Sequence, residues 1–392
     1  MRLYTCGPSV YDSPHIGNHR TYVWGDVIKR YLEYLGYRVR HVMNITDVED
    51  KAVRTARQEE ISLRELTGRH ERAFFKDVEA LNLEPADFYP RATEHIQDIV
   101  VLVKRLLEKG MAYRLDGDVY FDLSRVRGYG TLARLRRKPQ GRVSKDDYER
   151  REAGDFILWK AHRRQDGDVY WETELGKGRP GWSIQCSAMA MRYLGPTIDI
   201  HTGGIDNIFS HNENEIAQSE GATGKRFVRY WLHARHLYVD GRKMSKSLGN
   251  YHTLSSLMEM GYDPRAVRYL LLSVHYRRRL DFTLAKMERA QRDLEHLLGC
   301  MELLGKVKGG RDDPQVGSWI REAKARFRTA MDDDLDTPGA LQALTELAAR
   351  ARRAAVDGRL SRGDARKVLR TLLDFDLVLG FLKTQNIYKF RR

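Results

Sequence analysis

The order of elements read from the first fifty residues restricts the fold more than any other feature of this chain. A short strand-like run, Leu3-Tyr4-Thr5-Cys6, leads through Gly7-Pro8 to His15-Ile16-Gly17-Asn18. Tyr22 to Leu35 then carries apolar residues at helical spacing and stops at Gly36, a suitable C-cap. Val39 to Val42 follows as a strand of buried type. Strand, helix, strand in that order predicts a parallel α/β sheet. The pattern returns with a strand at Thr197 to His201, a helix at Glu213 to Glu220 and a strand at His236 to Val239. Between the two halves, residues 95–165 depart from it: a helix over Thr93 to Lys109, short strands and a basic loop read as an insertion. From about residue 285 the chain is rich in Leu, Ala and Arg at helical spacing, with no strand signal.

Composition excludes several classes. At 392 residues the chain predicts two or three domains. No run approaches the roughly 20 apolar residues of a membrane span. Arg2 is followed by only three residues before a Cys-Gly-Pro turn, so no secretory leader is expected and the protein reads as cytoplasmic. Three scattered cysteines, Cys6, Cys186 and Cys300, argue against a disulfide framework and for a reducing compartment. The formal charge is +14, and between Arg125 and Lys145 stand eight basic residues and no acidic one. Such a face suits a polyanion, although it serves equally as a solvated surface.

Two loops have the makings of a phosphate site. A histidine at a helix N-terminus followed by Gly17 lets a ligand approach the backbone, where N–H groups favour phosphate. Lys243-Met244-Ser245-Lys246-Ser247, in a Gly/Lys/Ser loop, places two ammonium groups that can follow charge onto a leaving pyrophosphate. Gly203-Gly204-Ile205-Asp206 follows the apolar strand Ile198 to His201, at the edge where open α/β sheets bind ligands, with Asp206 able to accept from ribose hydroxyls. A tight turn explains the glycines as well.

Cys6, Cys186, His211 and Glu215 form a donor set suited to tetrahedral zinc, and His211 and Glu215 are four apart, on one face of a helix. Buried core cysteines are the alternative.

These pieces resemble a known family. His15 to Asn18 and Lys243 to Ser247, in that order and at that distance, resemble the two nucleotide signatures of class I aminoacyl-tRNA synthetases. Tyr4-Thr5-Cys6-Gly7-Pro8-Ser9-Val10-Tyr11-Asp12, Asn44-Ile45-Thr46-Asp47, Gly181 to Met189, Glu213 to Ser219 and Ala330-Met331-Asp332-Asp333-Asp334 with Thr337-Pro338 are similar to the cysteinyl-tRNA synthetases. The resemblance runs from residue 1 to about 385. It implies a Rossmann-like catalytic domain at 1–250 with a connective insertion at about 95–165, a stem-contact region at 251–285 and a helical tRNA-contacting domain at 286–392. It implies one Zn2+ held by Cys6, Cys186, His211 and Glu215, and Mg2+ arriving with ATP. Trp182 and Thr46 would bound the amino-acid pocket, and ATP would fall to His15, Gly17, Asn18, Gly203, Gly204, Asp206, Lys243 and Lys246. Of these, His15, Lys243 and Lys246 would be catalytic. The implied reaction makes cysteinyl-adenylate from cysteine and ATP, then passes cysteine to the 3′-terminal ribose of tRNA(Cys), with zinc selecting thiolate over hydroxyl.

The chain also departs from the family. Ser183 and Asn212 stand where members usually carry histidine, and Gln185 where they carry glutamate, so fewer imidazoles surround the zinc. Asn18 closes a signature that often ends in histidine. The expectation is a monomeric member lacking the small C-terminal anticodon-contacting module, with 20 basic and 15 acidic residues over 291–392 left to meet the tRNA backbone. A cysteine-activating ligase that serves a small amine, as in the mycothiol pathway, is the alternative. A non-catalytic tRNA-binding relative is disfavoured because the lysines and metal donors are all present.

Overall fold

The computed structural model describes residues 1–135, 154–244 and 248–382, and the backbone of 142–143. The described strands are β1 (Arg2–Thr5), β2 (Arg40–Met43), β3 (Ala112–Leu115), β4 (Asp118–Phe121), β5 (Arg142–Val143), β6 (Asp155–Ala161) and β7 (Trp171–Thr173). They continue with β8 (Gly176–Pro180), β9 (Ile198–Gly204), β10 (Val228–Ala234), β11 (Leu237–Val239), β12 (Arg242–Lys243) and β13 (Leu280–Phe282). The helices begin with α1 (Ile16–Tyr34), α2 (Asp50–Gln58), α3 (Leu63–Ala80), α4 (Ile96–Glu108), α5 (Trp182–Leu194) and α6 (Glu213–Thr223). After them come α7 (Leu254–Glu259), α8 (Pro264–Leu272), α9 (Leu284–Lys306), α10 (Val316–Asp332), α11 (Thr337–Val356) and α12 (Arg362–Leu379). The described residues fall into two compact units, one drawn from Met1–Pro14, Arg38–Lys76 and Pro85–His236, the other from the remainder.

The first unit is built on a parallel sheet, as expected, in the order β10-β9-β1-β2, but its edge strand is Val228–Ala234; the run expected to return as a strand, at Leu237–Val239, belongs instead to the small sheet β12-β11-β13. Tyr4, Val42, Ile198 and Val228 bury themselves against Ala190 and Leu194 of α5, so the apolar strands take their cover from that helix. Cys6 N–H continues the ladder to Thr202 O at 2.9 Å, which sets the first turn after β1 beside the end of β9. Gly7 has a steric reason to be glycine: a Cβ there would stand 1.8 Å from the carbonyl oxygen of Asn44. Asn44 Oδ1 in turn accepts from Gly7 N–H at 3.0 Å, fixing the turn that presents Cys6.

The same unit carries a six-stranded sheet. The order β3-β4-β6-β8-β7 is antiparallel, and β5 joins β6 in parallel. Its apolar face, with Phe121, Leu158 and Trp159, packs on Ile99, Val103 and Leu106 of α4.

The second unit contains α1, the small sheet β12-β11-β13 and the helices α7 to α12. Thr283 and Ser361 cap α9 and α12 through their hydroxyls. Phe327 of α10 stacks on Phe375 of α12 at 4.2 Å between ring centroids. A buried polar knot ties α1, α8 and α12 together: Arg268 donates to Asp26 and to the carbonyl of Leu379, while Arg30 donates to Asp26 and the carbonyl of Leu377. Among the described residues no helix is long and apolar enough to cross a membrane.

Candidate active site

The four donors expected to hold zinc converge. Cys6 comes from the turn after β1, Cys186 from the second turn of α5, His211 from the turn preceding α6, and Glu215 from the first turn of α6. Their ligand atoms lie within 4.8 Å of one another, and all four side chains are buried. Bonds of roughly 2–2.3 Å to one ion close such a span with small side-chain rotations. The donor chemistry fits as well. His211 Nε2 is buried without a hydrogen-bonding partner, 3.1 Å from Glu215 Oε1, and an orphaned imidazole nitrogen among two sulfurs and a carboxylate is what a metal ligand set requires.

The electrostatics of the cluster run the same way. The Cys6 thiol, hydrogen-bonded to Cys186, draws the Cys186 pKa down to about 6 against the opposing effect of burial, helped by His211. That same hydrogen bond, with burial, holds Cys6 well above the ordinary thiol range. Burial works against a charged His211, but Cys186 and Glu215 raise its pKa to about 10. Burial also works against ionised Glu215, yet His201 and His211 bring it down to about 2.

Around these donors stands a frame in which the sequence points to Ser183 and Asn212 but not to His201, Asn214 or Tyr129. Glu215 Oε2 lies 3.0 Å from His201 Nε2, and Asn212 Nδ2 donates to Glu215 Oε1 at 2.9 Å. Ser183 Oγ is 3.3 Å from His211 Nδ1 and takes a bond from Asn214 Nδ2, whose amide oxygen accepts from Tyr129 OH at 2.5 Å. Ser183 and Asn212 thus serve as hydroxyl and amide partners of the candidate donors His211 and Glu215. Gln185, the third departure, is used differently: its amide donates to Val48 O at 2.9 Å. His201 is hidden in the sequence because its partner reaches it only when β9 and α6 pack, a contact fourteen residues apart with no periodic signature.

Of the two residues expected to bound an amino-acid pocket, Trp182 lies against the cluster. The Trp182 ring covers that of His211, with centroids 3.6 Å apart. Thr46 pairs with Ser9 in a parallel bridge, and its hydroxyl accepts from Asn44 Nδ2 at 3.0 Å. Gly203 and Gly204 close β9, and Asp206 stands exposed in the helical turn that follows.

In the second unit, His15 is the N-cap of α1. Its Nδ1 accepts from Asn18 N–H at 3.2 Å, and Asn18 Oδ1 accepts from His15 N–H at 3.1 Å, a reciprocal capping box. Asn18 therefore has a defined task as the closing residue of its signature. Gly17 has a local one: a Cβ there would lie 2.9 Å from the His15 ring, so glycine lets that ring fold back over the helix start. The segment after the lysine loop meets this cap. Ile16 N–H donates to His252 O at 3.0 Å, and the Tyr251 ring stands edge-on to His15 at 5.3 Å. The two distant signatures thus have flanks that touch. Lys243 is exposed on β12, with its carbonyl held by Asn250 Nδ2. Lys246, and with it most of the basic stretch after Leu135, lies outside the described residues.

Comparison with known proteins now places the chain. Residues 1–292 match the family model described as tRNA synthetases class I (C) catalytic domain, and 326–383 match the DALR domain. Its fold is shared by methionyl-tRNA synthetase of Mycobacterium tuberculosis in complex with methionyl-adenylate, with a TM-score of 0.74 at 18% identity over 99% of this chain and 92% of that one. A LeuRS of Agrobacterium radiobacter, in a ternary complex with tRNA, scores 0.69 at 13% identity over 100% and 85% of the two chains. The parallel sheet and its metal-donor cluster therefore sit in a class I synthetase fold. Among curated proteins, the cysteine–tRNA ligase of Chlamydia pneumoniae is 45% identical over 97% of this chain and 82% of its own length. That of Protochlamydia amoebophila is 42% identical over 97% and 81%. The chain belongs to the cysteine–tRNA ligase family.

Proposed function

We propose that this protein activates L-cysteine with ATP and transfers it to tRNA(Cys), the activity its relatives' names carry. The single observation that carries the reading to this chain's chemistry is the buried convergence of Cys6, Cys186, His211 and Glu215 within a class I fold. A zinc ion held there supplies a soft Lewis acid that accepts a thiolate and discriminates against the hydroxyl of serine. Trp182 and Thr46 bound the side of the pocket that receives the amino acid. Carboxylate attack on the α-phosphate then forms the adenylate and releases pyrophosphate, with magnesium accompanying ATP. His15, with Nδ1 engaged as acceptor by Asn18, carries its neutral-ring proton on Nε2 and so serves the phosphates as a donor. Lys243 and Lys246 neutralise the charge that grows on the leaving group, and Gly203, Gly204 and Asp206 serve the adenosine. We assign the protein to the cytoplasm and treat it as a monomer.

Transfer of radiolabelled cysteine to total tRNA, with ATP, magnesium and zinc, tests the reading; base-labile label on tRNA is the expected result. ATP–pyrophosphate exchange with cysteine but no charging of tRNA would overturn the transfer step and favour a small-amine acceptor. Lys246→Ala is expected to slow single-turnover adenylate formation by at least about a hundredfold while changing ATP affinity only a few-fold, as befits a transition-state interaction.

A further inference from the structure

Glu215 is held from both sides in an arrangement that closes on itself. On one side His201 Nε2 meets Oε2 at 3.0 Å. On the other, Asn212 Nδ2 donates to Oε1 at 2.9 Å, and the far end of the same amide, Oδ1, lies 2.9 Å from His233 Nε2. Trp231 joins the two histidines: its ring is 4.4 Å from that of His201 and lies nearly parallel to that of His233, with centroids 5.9 Å apart. Strand register explains the alignment. Trp231 pairs with His201 across β10 and β9, and His233, two residues on, pairs with Gly203, so both rings project from one face of the sheet. Asn212 and His201 are fully buried.

The donor pattern leaves one assignment. An ionised carboxylate only accepts, so the amide must turn Nδ2 toward Glu215, and Oδ1 then accepts from His233 Nε2–H. Reversing the amide would set Oδ1 against the Glu215 carboxylate, two acceptors opposed in a buried site. Asn212 is therefore locked at one end and directs a donor at a metal ligand from the other. Groups of this kind orient ligands and contribute to metal affinity.

We propose that Asn212 is a positioning residue of the metal centre, its amide orienting the Glu215 carboxylate and itself held in register by His233. The inference rests on the reading of Cys6, Cys186, His211 and Glu215 as zinc ligands.

The test is zinc affinity of the full-length protein, measured at one fixed pH by competition with a chromophoric chelator, alongside the visible spectrum of the cobalt-loaded form. Asn212→Ala is expected to weaken zinc binding by roughly 10–100-fold and to shift the cobalt ligand-field bands. His233→Ala keeps the amide but frees it to turn, and is expected to weaken binding roughly threefold or more in the same direction. If Asn212→Ala does not fold, His233→Ala decides alone. Zinc affinity within twofold of the unmodified protein and unchanged cobalt bands would overturn the proposal while leaving the metal site intact. An unmodified protein that takes up no zinc would remove both.

Discussion

At the scale of single residues, the proposed metal site turns on Cys186 and His211. Each is buried, so losing either leaves an incomplete donor set. Cys186→Ala and His211→Ala are each expected to lower zinc content from about one to below ~0.1 per chain by metal analysis, and to erase most of the cysteine-over-serine preference in ATP–pyrophosphate exchange. The protons of the metal-free cluster give a second outcome. Cys6 and His211 hold theirs near neutral pH, the first through its bond to Cys186 and burial, the second through Cys186 and Glu215 acting against burial. Both must be lost when the donors take a metal, so apparent zinc affinity is expected to rise with pH between about 6 and 9, with proton release visible in a weakly buffered indicator titration. Cys300 stands apart from this chemistry. It donates to Ala348 O inside the helical unit, and burial raises its pKa to about 11.

At the scale of elements, helix termini and interhelical polar contacts do the positioning. The capping box of α1 fixes the His15 ring with bonds only three residues apart, which is why this part of the site is readable in sequence. The knot between α1, α8 and α12 is not, because its interhelical bonds join residues 111 to 347 apart in the chain. Asp376 lies at its margin and accepts from the N–H groups of Phe381 and Leu382, which close α12. Burial dominates there and raises its pKa from 3.8 to about 6, although its backbone donors, Arg30 and Arg268 oppose the shift. A carboxyl raised in the folded state contributes stability that is complete below the unfolded pKa and is lost as pH rises through about 6. Asp376→Asn keeps an acceptor oxygen but no titration. Relative to this variant, the unmodified protein is expected to lose on the order of 3 kcal/mol between pH 4 and 7, read as the difference between their denaturation curves.

At the scale of the whole molecule, charge points to the partner. A net +14 with eight basic residues from Arg125 to Lys145 gives the protein a means of releasing counterions from a polyanion. Neutralising Arg134, Arg136 and Arg137 together is expected to weaken tRNA binding at low salt and flatten the dependence of log affinity on log salt by up to about 2–3. An unchanged slope in filter binding would take this stretch out of the tRNA footprint.

The sequence by itself determined the alternation of strand and helix, the helical C-terminal part, the N-terminal cap of α1 and a set of candidate metal donors. All of these are encoded locally, by periodicity, by residues three or four apart, or by side chains whose chemistry is unusual in a core. The strands β7 and β8 are hard to read because Trp171-Glu172-Thr173 is only three residues long and Gly176-Lys177-Gly178-Arg179-Pro180 has glycines and a proline in place of an apolar alternation. Only the tertiary structure decided what surrounds the donors: His201 on Glu215, Asn212 between Glu215 and His233, and Tyr129 reaching His211 through Asn214 and Ser183. Such contacts join strands, turns and helices remote along the chain. A hydrogen bond depends on two groups meeting at about 3 Å, and no pattern within either segment records that distance.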